Sequence, residues 1–575
     1  MTALLTENLS LIAASVNGVK KLRELILQLA LMGRFVPQDS KDEPASELLK
    51  RAKARNRVSG KRLRQDFQEI GENEHKHFLP QGWEICRFGQ VAVVKSELVS
   101  PDLYPHHQQV APDSIEKGTG KLIERRTVRE SGIVSPNHRF YPGQILYSKI
   151  RPSLSKAALV DFEGLCSADM YPLETDLVPE FALLQILSPL FLQQVKVAEN
   201  RVKMPKLNQD SLLAFVVLVP PLAEQYRIVG KVKELMGLCD RLESQQTNAE
   251  TLHTLLVKTL LNALVEATDP DNFRASWNLV KENFDVLFTT EGSIDALKQC
   301  IVQLAVMGKL VTQDAESEPE ERAQSMVVKG IGKIATGKRA KVNTAQLEVV
   351  PPYHVPRGWS WIRLRELVAF SEAGWSPSCE NRPKSAEEWG VLKVSAVSWG
   401  KFLPAENKAL PADLPPRKEA EVQKGDFLIS RANTAELVAR SVVVDDVPPR
   451  LLMSDKIVRL RLVASVDPHY INLYNSCRFA RAYYERVAGG TSSSMKNVSR
   501  EHILDLILAL PPVAEQKRIV AKFYQLMLLC DSLKTGLSKA WREQEGLASA
   551  LIEQALRPPV LANITSDMEA VLVAT

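Results

Sequence analysis

Cysteine is scarce in this sequence and follows no ligand pattern. The seven residues (Cys86, Cys166, Cys239, Cys300, Cys379, Cys477 and Cys530) include no CxxC pair. Zinc ribbons and dithiol redox centres are thereby excluded, and small core residues of a reducing compartment remain. His75/His77 and His106/His107 have no Cys or carboxylate at ligand spacing, so no metal is expected. No apolar run approaches the roughly 18 to 20 residues of a membrane span. The opening MTALLTENLSLIAAS has no basic leader and carries Glu7 before its apolar part, so a cytoplasmic chain is expected. Cofactor loops are missing too. Gly332 to Lys338 has the spacing of a phosphate-binding loop, yet Arg339 stands where Ser or Thr must hold Mg²⁺. Val350-Pro-Pro-Tyr353 puts valine where an amino-methyltransferase needs an Asn or Asp oxygen to accept from the target amine. A chain without catalysis and without a cofactor of its own is expected.

What is present is a duplication. QLALMGRFVPQD at Gln28–Asp39 returns as QLAVMGKLVTQD at Gln303–Asp314, and PPLAEQYRIVGKVKELMGLCDRL from Pro220 returns as PPVAEQKRIVAKFYQLMLLCDSL from Pro511. The offset is 275 at Gln28, 276 at the Gly-Trp pairs 82–83 and 358–359, and 291 at the Pro-Pro pairs. It barely moves outside the two interiors and jumps within them. Such a repeat reads as one frame carrying two different modules, related by an internal pseudo-twofold.

Each copy opens with a helix (Leu22, Leu25, Ile26, Leu29; Leu297, Ile301, Leu304) stopped by Gly33 or Gly308. A polar connector then leads to a lobe with short strand signals such as ILYSKI at 145–150 and FLIS at 427–430, mixed with helical stretches. The fold class expected is α+β. After each lobe, Pro-Pro starts a long helix whose apolar residues alternate four and three apart: Val232, Leu235, Cys239, Leu242, His253 and Leu256 in one, Phe523, Leu526, Cys530, Leu533, Gln544 and Leu547 in the other. This spacing predicts an antiparallel coiled coil in which His253 and Gln544 pair and fix the register. At 1.5 Å per residue the span from Ile228 to Ala263 is about 50 to 55 Å, a stiff ruler.

The net charge of +5 is mild, but its placement is uneven. Lys50 to Arg64 holds eight basic residues and no acid, and the second connector carries Lys329, Lys333, Lys338, Arg339 and Lys341. Such a run is either a solvated helix or an arm that contacts phosphates.

LRELILQLALMGRFVPQDSKDEPASELL, ENFDVLFTTEGSIDALKQCIVQLAVMGKLVTQD, GQILYSKIRP with GDFLISRAN, and PPLAEQYRIV with PPVAEQKRIV resemble the specificity subunit of type I restriction-modification systems, in the same order and over nearly the whole chain. The resemblance implies two α/β target recognition domains separated by long helices, each reading one part of a split site on double-stranded DNA. Its implied partners are two modification subunits, which use S-adenosylmethionine to methylate adenine N6, and restriction subunits that use ATP and Mg²⁺. The divisions expected are a helical region and basic linker at 1–79, recognition domain 1 at 80–219, a long helix at 220–268, a second helical region and linker at 269–355, recognition domain 2 at 356–510, and a final helix and tail at 511–575. Candidate DNA contacts follow the strand-turn motifs: Lys149 and Arg151 in the first lobe, Arg431 and Asn433 in the second. Arg and Lys suit guanine, and Asn suits adenine. A second set, Arg201, Lys203 and Lys206 matched by Thr491, Ser492, Ser493 and Lys496, has the character of phosphate ligands.

Overall fold

The structure, a computed structural model, describes residues 11–15, 17–58, 70, 79–198, 205–313, 352–398, 400–490 and 495–556. It is α+β and divides into two units: Met1–Ala249 joined by Ala540–Thr575, and Glu250–Lys539. Among the described residues the helices that frame the lobes include α1 (Gly18–Leu31), α2 (Ala45–Val58), α3 (Leu222–Glu266), α4 (Glu291–Val306) and α5 (Val513–Leu556). Both long helices cross the division. α3 starts in the first unit and ends in the second, and α5 does the reverse.

In the first unit, Glu84–Arg87 pairs antiparallel with Val216–Val219, so the chain enters and leaves the lobe at one place. A four-stranded sheet follows, in the order Ala92–Val94, Met170–Thr175, Ile145–Ser148, Ala157–Leu159. The ILYS strand is buried along its whole length, Ser148 included, which is why it shows no alternation of apolar and polar positions. A five-stranded sheet (Leu98–Val99, Asn137–Phe140, Gly164–Cys166, Gln108–Val110, Arg126–Thr127) completes the lobe. Phe140, Leu146, Ala158, Val160, Cys166 and Met170 fill a core drawn from both sheets.

The second unit has the corresponding closing pair, Ser360–Arg363 with Ile507–Leu510. Its four-stranded sheet runs Val368–Ala373, Ile457–Leu462, Phe427–Ser430, Ser441–Val443. Beyond that it differs: its further sheet has three strands, Asn407–Ala409, Gly390–Leu392 and Leu451–Leu452. A guanidinium sits inside this lobe. Arg459, 2% exposed, pairs with Glu372 and with Asp426 at 2.8 Å, and donates to the carbonyls of Glu419 and Glu421.

The motif AEQ at the head of each long helix clamps helix to lobe. Trp83 Nε1 donates to Glu224 at 3.0 Å, and Trp359 Nε1 to Glu515 at 2.9 Å. Gln225 accepts from the Val178 N–H and donates to the Pro220 carbonyl; Gln516 does the same with Asp467 and Pro511. The glycines that stop α1 and α4 are fixed from the same corner. Gly33 and Gly308 have φ of 63° and 72°, and a Cβ on either would lie 2.3 or 2.4 Å from the ring of Pro80 or Pro356. Only glycine fits both the left-handed conformation and the contact.

α1 and α4 are bridges. In the first unit Arg23 binds Asp240 and Glu243 midway along α3, at 2.6 and 2.9 Å, while Lys21 binds Glu545 and Arg34 donates to the Ala555 carbonyl on the tail of α5. In the second unit Lys298 binds Asp531 on α5, and Lys309 donates to the carbonyls of Val265 and Ala267 at the end of α3. Arg34 and Lys309 thus put cations on the exposed carbonyls of a helix C-terminus.

This arrangement corrects the expected seam. Val232, Leu235 and Cys239 are buried with Leu22, Leu25 and Leu29 of α1, and Leu242 packs against the same core. Phe523 and Leu526 pack with Ile301 and Leu304 of α4, around buried Cys530. Further along, Leu256 is 47% exposed and Leu547 59%, whereas their successors Val257 and Ala548 are buried. A straight helix of 3.6 residues per turn drifts by about 20° per heptad against a strict seven-residue repeat, so the buried stripe has moved on by one residue. Leu533 is also exposed. His253 does not have the role expected of it. Its Nε2 lies 3.2 and 3.0 Å from the carbonyls of Val286 and Leu287, a donor position that occupies the ring N–H with backbone instead of Gln544.

Candidate nucleic-acid interface

In each lobe the structure brings the first candidate pair beside the one described member of the second set, Lys206 or Lys496. In the first, Leu207 N–H donates to the Lys149 carbonyl at 2.8 Å, Arg151 N–H donates to Pro205 at 2.9 Å, and Ile150 bridges Lys206. In the second, Val498 N–H donates to the Arg431 carbonyl at 2.9 Å, and Ala432–Asn433 pairs with Lys496–Asn497. The strand-exit loop and the segment after the lobe's helix pair therefore form one ledge. Sequence order had separated them by more than fifty residues.

The side chains on that ledge are unequal. Lys149 is held inward, its Nζ 2.6 Å from the Ala168 carbonyl, 3.9 Å from Asp169 and over the ring of Tyr171. It does not project from the strand edge as expected, because the burial of its stem and three acceptor or ring contacts fix it against the lobe. Lys206 shares Asp169 at 3.2 Å and is exposed. Arg151 is exposed on a left-handed backbone, φ 46° and ψ 53°. In the second lobe, Arg431 reaches the Val498 carbonyl with Nε at 3.4 Å. Asn433 donates to Ser398 Oγ and accepts from Thr434 N–H, both at 2.8 Å. One N–H and one lone pair of its amide remain for a base edge. Lys496 donates to the Gly490 carbonyl at 2.8 Å. Arg201, Lys203, Thr491, Ser492 and Ser493 lie outside the described residues, as do the connector lysines from Lys329 to Lys341 and the Gly332–Arg339 segment.

Two features went unnoticed in the sequence. Arg139 in the five-stranded sheet lies 5.1 Å from the ring centres of both Tyr104 and Tyr141 and binds Glu163. Arg417 in the second lobe sits 4.7 Å over Trp375. Tyr141 is two residues from Arg139, but Tyr104, Glu163 and, for Arg417, Trp375 are remote in sequence, so no spacing signals those partners.

Burial pushes the thiols of Cys86, Cys300 and Cys477 up to about 12, far from the thiolate form. Among the described residues no three His, Cys, Asp or Glu side chains are grouped to hold a metal ion. No single described helix is long and apolar enough to cross a membrane.

Comparison with known proteins fits this geometry. Residues 107–252 match the type I restriction modification DNA specificity domain. The type I restriction enzyme EcoEI specificity subunit of Escherichia coli is 35% identical over 562 residues, 94% of each chain. The chain belongs to the family of type I restriction-modification specificity subunits. A second such subunit, EcoAI of Escherichia coli, is 30% identical over 577 residues and again 94% of each chain. A solved structure from work on complex assembly and conformational transition of the type I R-M system shares the fold, with TM-score 0.52 at 19% identity, over 84% of this chain and 100% of its own.

Proposed function

We propose that this chain is the non-catalytic DNA-recognition subunit of a type I restriction-modification complex, and that each lobe reads one half of a bipartite site. The observation that carries the reading is the recurrence of one mounting in both units: the same Trp–Glu and Gln clamps hold two lobes whose outer sheets differ, five strands in one and three in the other. Recognition domains at 80–219 and 356–510 would then be exchangeable readers on a common frame. Arg151 and Lys206 would serve the first half-site, and Arg431, Asn433 and Lys496 the second.

α3 and α5 set the separation. Each begins beside its own lobe and ends in the other unit, which supports an antiparallel pair about a pseudo-twofold. A gap of fixed length between two half-sites follows, for the same geometric reason that half-site spacing follows dimer geometry in other DNA-binding proteins. Two modification subunits, carrying S-adenosylmethionine, would dock on equivalent faces, and restriction subunits using ATP and Mg²⁺ would join them. Leu238 and Leu529 are exposed and available to such partners, whereas Val229 is buried in the first unit's core.

Sequencing methylated adenines in a host expressing this chain with its modification partner tests the reading. A two-part motif with a constant gap is expected. An uninterrupted motif, or a gap that varies between sites, overturns it.

A further inference from the structure

The basic residues of this chain are not distributed as a DNA-binding surface would require if the two lobes worked alike. Residues 80–219 carry fifteen basic and fifteen acidic side chains, whereas residues 356–510 carry twenty-two and eighteen. The first lobe is neutral and the second is +4. The connectors are unequal in the opposite sense. Lys50–Arg64 contributes eight positive charges and no acid, more than the +5 of the whole chain, so the remainder of the protein is net −3. The second connector, 314–351, holds six bases and six acids.

The structure fastens the first half of that charged run to the lobe. α2 buries Ala45, Leu48 and Ala52, and the Ala45 N–H donates to the carbonyl of Gly82 at 2.9 Å. The helix packs on the short helix Phe88–Val91, which packs in turn on Gln209–Leu213, the element that starts just after Lys206. Two such helix packings of 8–10 Å place α2 within about 20 Å of the first lobe's ledge. Its outward residues are free to exchange partners. Lys50, with its side chain 71% exposed, pairs with Glu47 and Arg51 pairs with Glu43, surface contacts of little net worth, and Lys53 is exposed.

We propose that α2 is an accessory phosphate-binding helix for the first lobe, holding the duplex beyond that lobe's half-site and supplying the attraction that the second lobe carries in its own body. The partner is the sugar-phosphate backbone, read without regard to sequence. This rests on the DNA-recognition reading above, and its test is separable from it.

The test uses the complex reconstituted with modification subunits and the triple variant Lys50→Gln, Arg51→Gln, Lys53→Gln. Binding is measured over a salt series on a duplex with the methylated motif and on one of mixed sequence. Each lost phosphate contact should reduce the slope of log K against log salt by about 0.9, so the slope should fall by about 2 to 3, with roughly 10- to 100-fold weaker binding at moderate salt. The loss should be equal on both duplexes, leaving selectivity unchanged. Trimming the motif duplex flush at one end, and only one, should abolish the difference between variant and wild type. A charge-conserving variant, Lys50→Arg, Arg51→Lys, Lys53→Arg, should bind as wild type. An unchanged slope, a loss confined to the motif duplex, or a loss that persists whichever of the two ends is trimmed overturns the proposal. If the wild-type complex failed to prefer its motif, the recognition reading would fall, and the slope on the mixed duplex would still decide the role of α2.

Discussion

Trp83 and Glu224 meet through one hydrogen bond of 3.0 Å between an indole N–H and a carboxylate buried at the first turn of α3. Glu224 Oε1 has no hydrogen-bond partner, and burial raises the pKa of the carboxyl above its ordinary 4.5, against the opposing effects of Trp83 and Arg227. The folded state therefore holds this proton more tightly than the unfolded chain does. Glu224's favourable contribution is complete below about pH 4.5 and is lost as pH rises through the folded value. Glu224→Gln keeps an oxygen for Trp83 and has no charge to desolvate, so its melting temperature should gain on wild type as pH is raised from about 4 to about 7. A difference that stays constant across that range would refute the account. Trp83→Phe removes the donor and should cost about 1–3 kcal/mol.

Arg151 offers a cleaner separation of backbone from side chain. Its left-handed φ of 46° costs a non-glycine residue of order 1 kcal/mol, which Arg151→Gly relieves. That variant should unfold no earlier than wild type while losing about 5- to 150-fold in affinity at one base of the first half-site. Affinity lost equally on every DNA would make Arg151 a phosphate ligand instead.

Lys149 should behave differently from Arg151, since its ammonium is engaged by Ala168, Asp169 and Tyr171. Lys149→Ala is expected to destabilise the lobe without relaxing which bases are methylated. Arg431→Ala with Asn433→Ala should relax only the second half-site. Competition binding with single-base variants of the motif measures both.

Lengthening the ruler should leave the readers alone. One heptad added after Ala249 and another after Lys539, where the chain passes between units, adds about 10 Å. The unread gap should grow by about three base pairs with both half-sites intact. A changed half-site in the methylome would argue against separable parts.

The docking proposed above calls for two modification subunits. Native mass spectrometry of the co-expressed complex should find two per chain at saturation; a single subunit, or methyl transfer by this chain unaccompanied, contradicts the docking reading.

The sequence revealed the elements whose contacts are local and hid those whose contacts are remote. Gly33 and Gly308 were recognisable as helix stops because the left-handed position after a helix selects glycine. ILYS and FLIS were recognisable because strands buried along their length open on apolar runs without alternation, although each ends in a buried serine. The seam of α3 was legible as far as Leu242 and then lost, since a seven-residue template accumulates error along a 45-residue helix. Lys149 was misread because Asp169, twenty residues away, holds it. The role of AEQ could not be seen at all: Glu224 and Gln225 answer to Trp83 and Val178, and only the folded lobe brings these together.

The division of the chain sets an order on its synthesis. The unit Glu250–Lys539 is one continuous stretch, complete once Lys539 has left the ribosome, while the unit made first lacks Ala548 and Ala555, buried in its core, until the final turns of α5 emerge. The N-terminal half is thus translated first and finished last. For most of translation it must keep the groove beside α1 open, and a nonsense codon just past Lys539 would damage the half of the protein farthest from it in the gene.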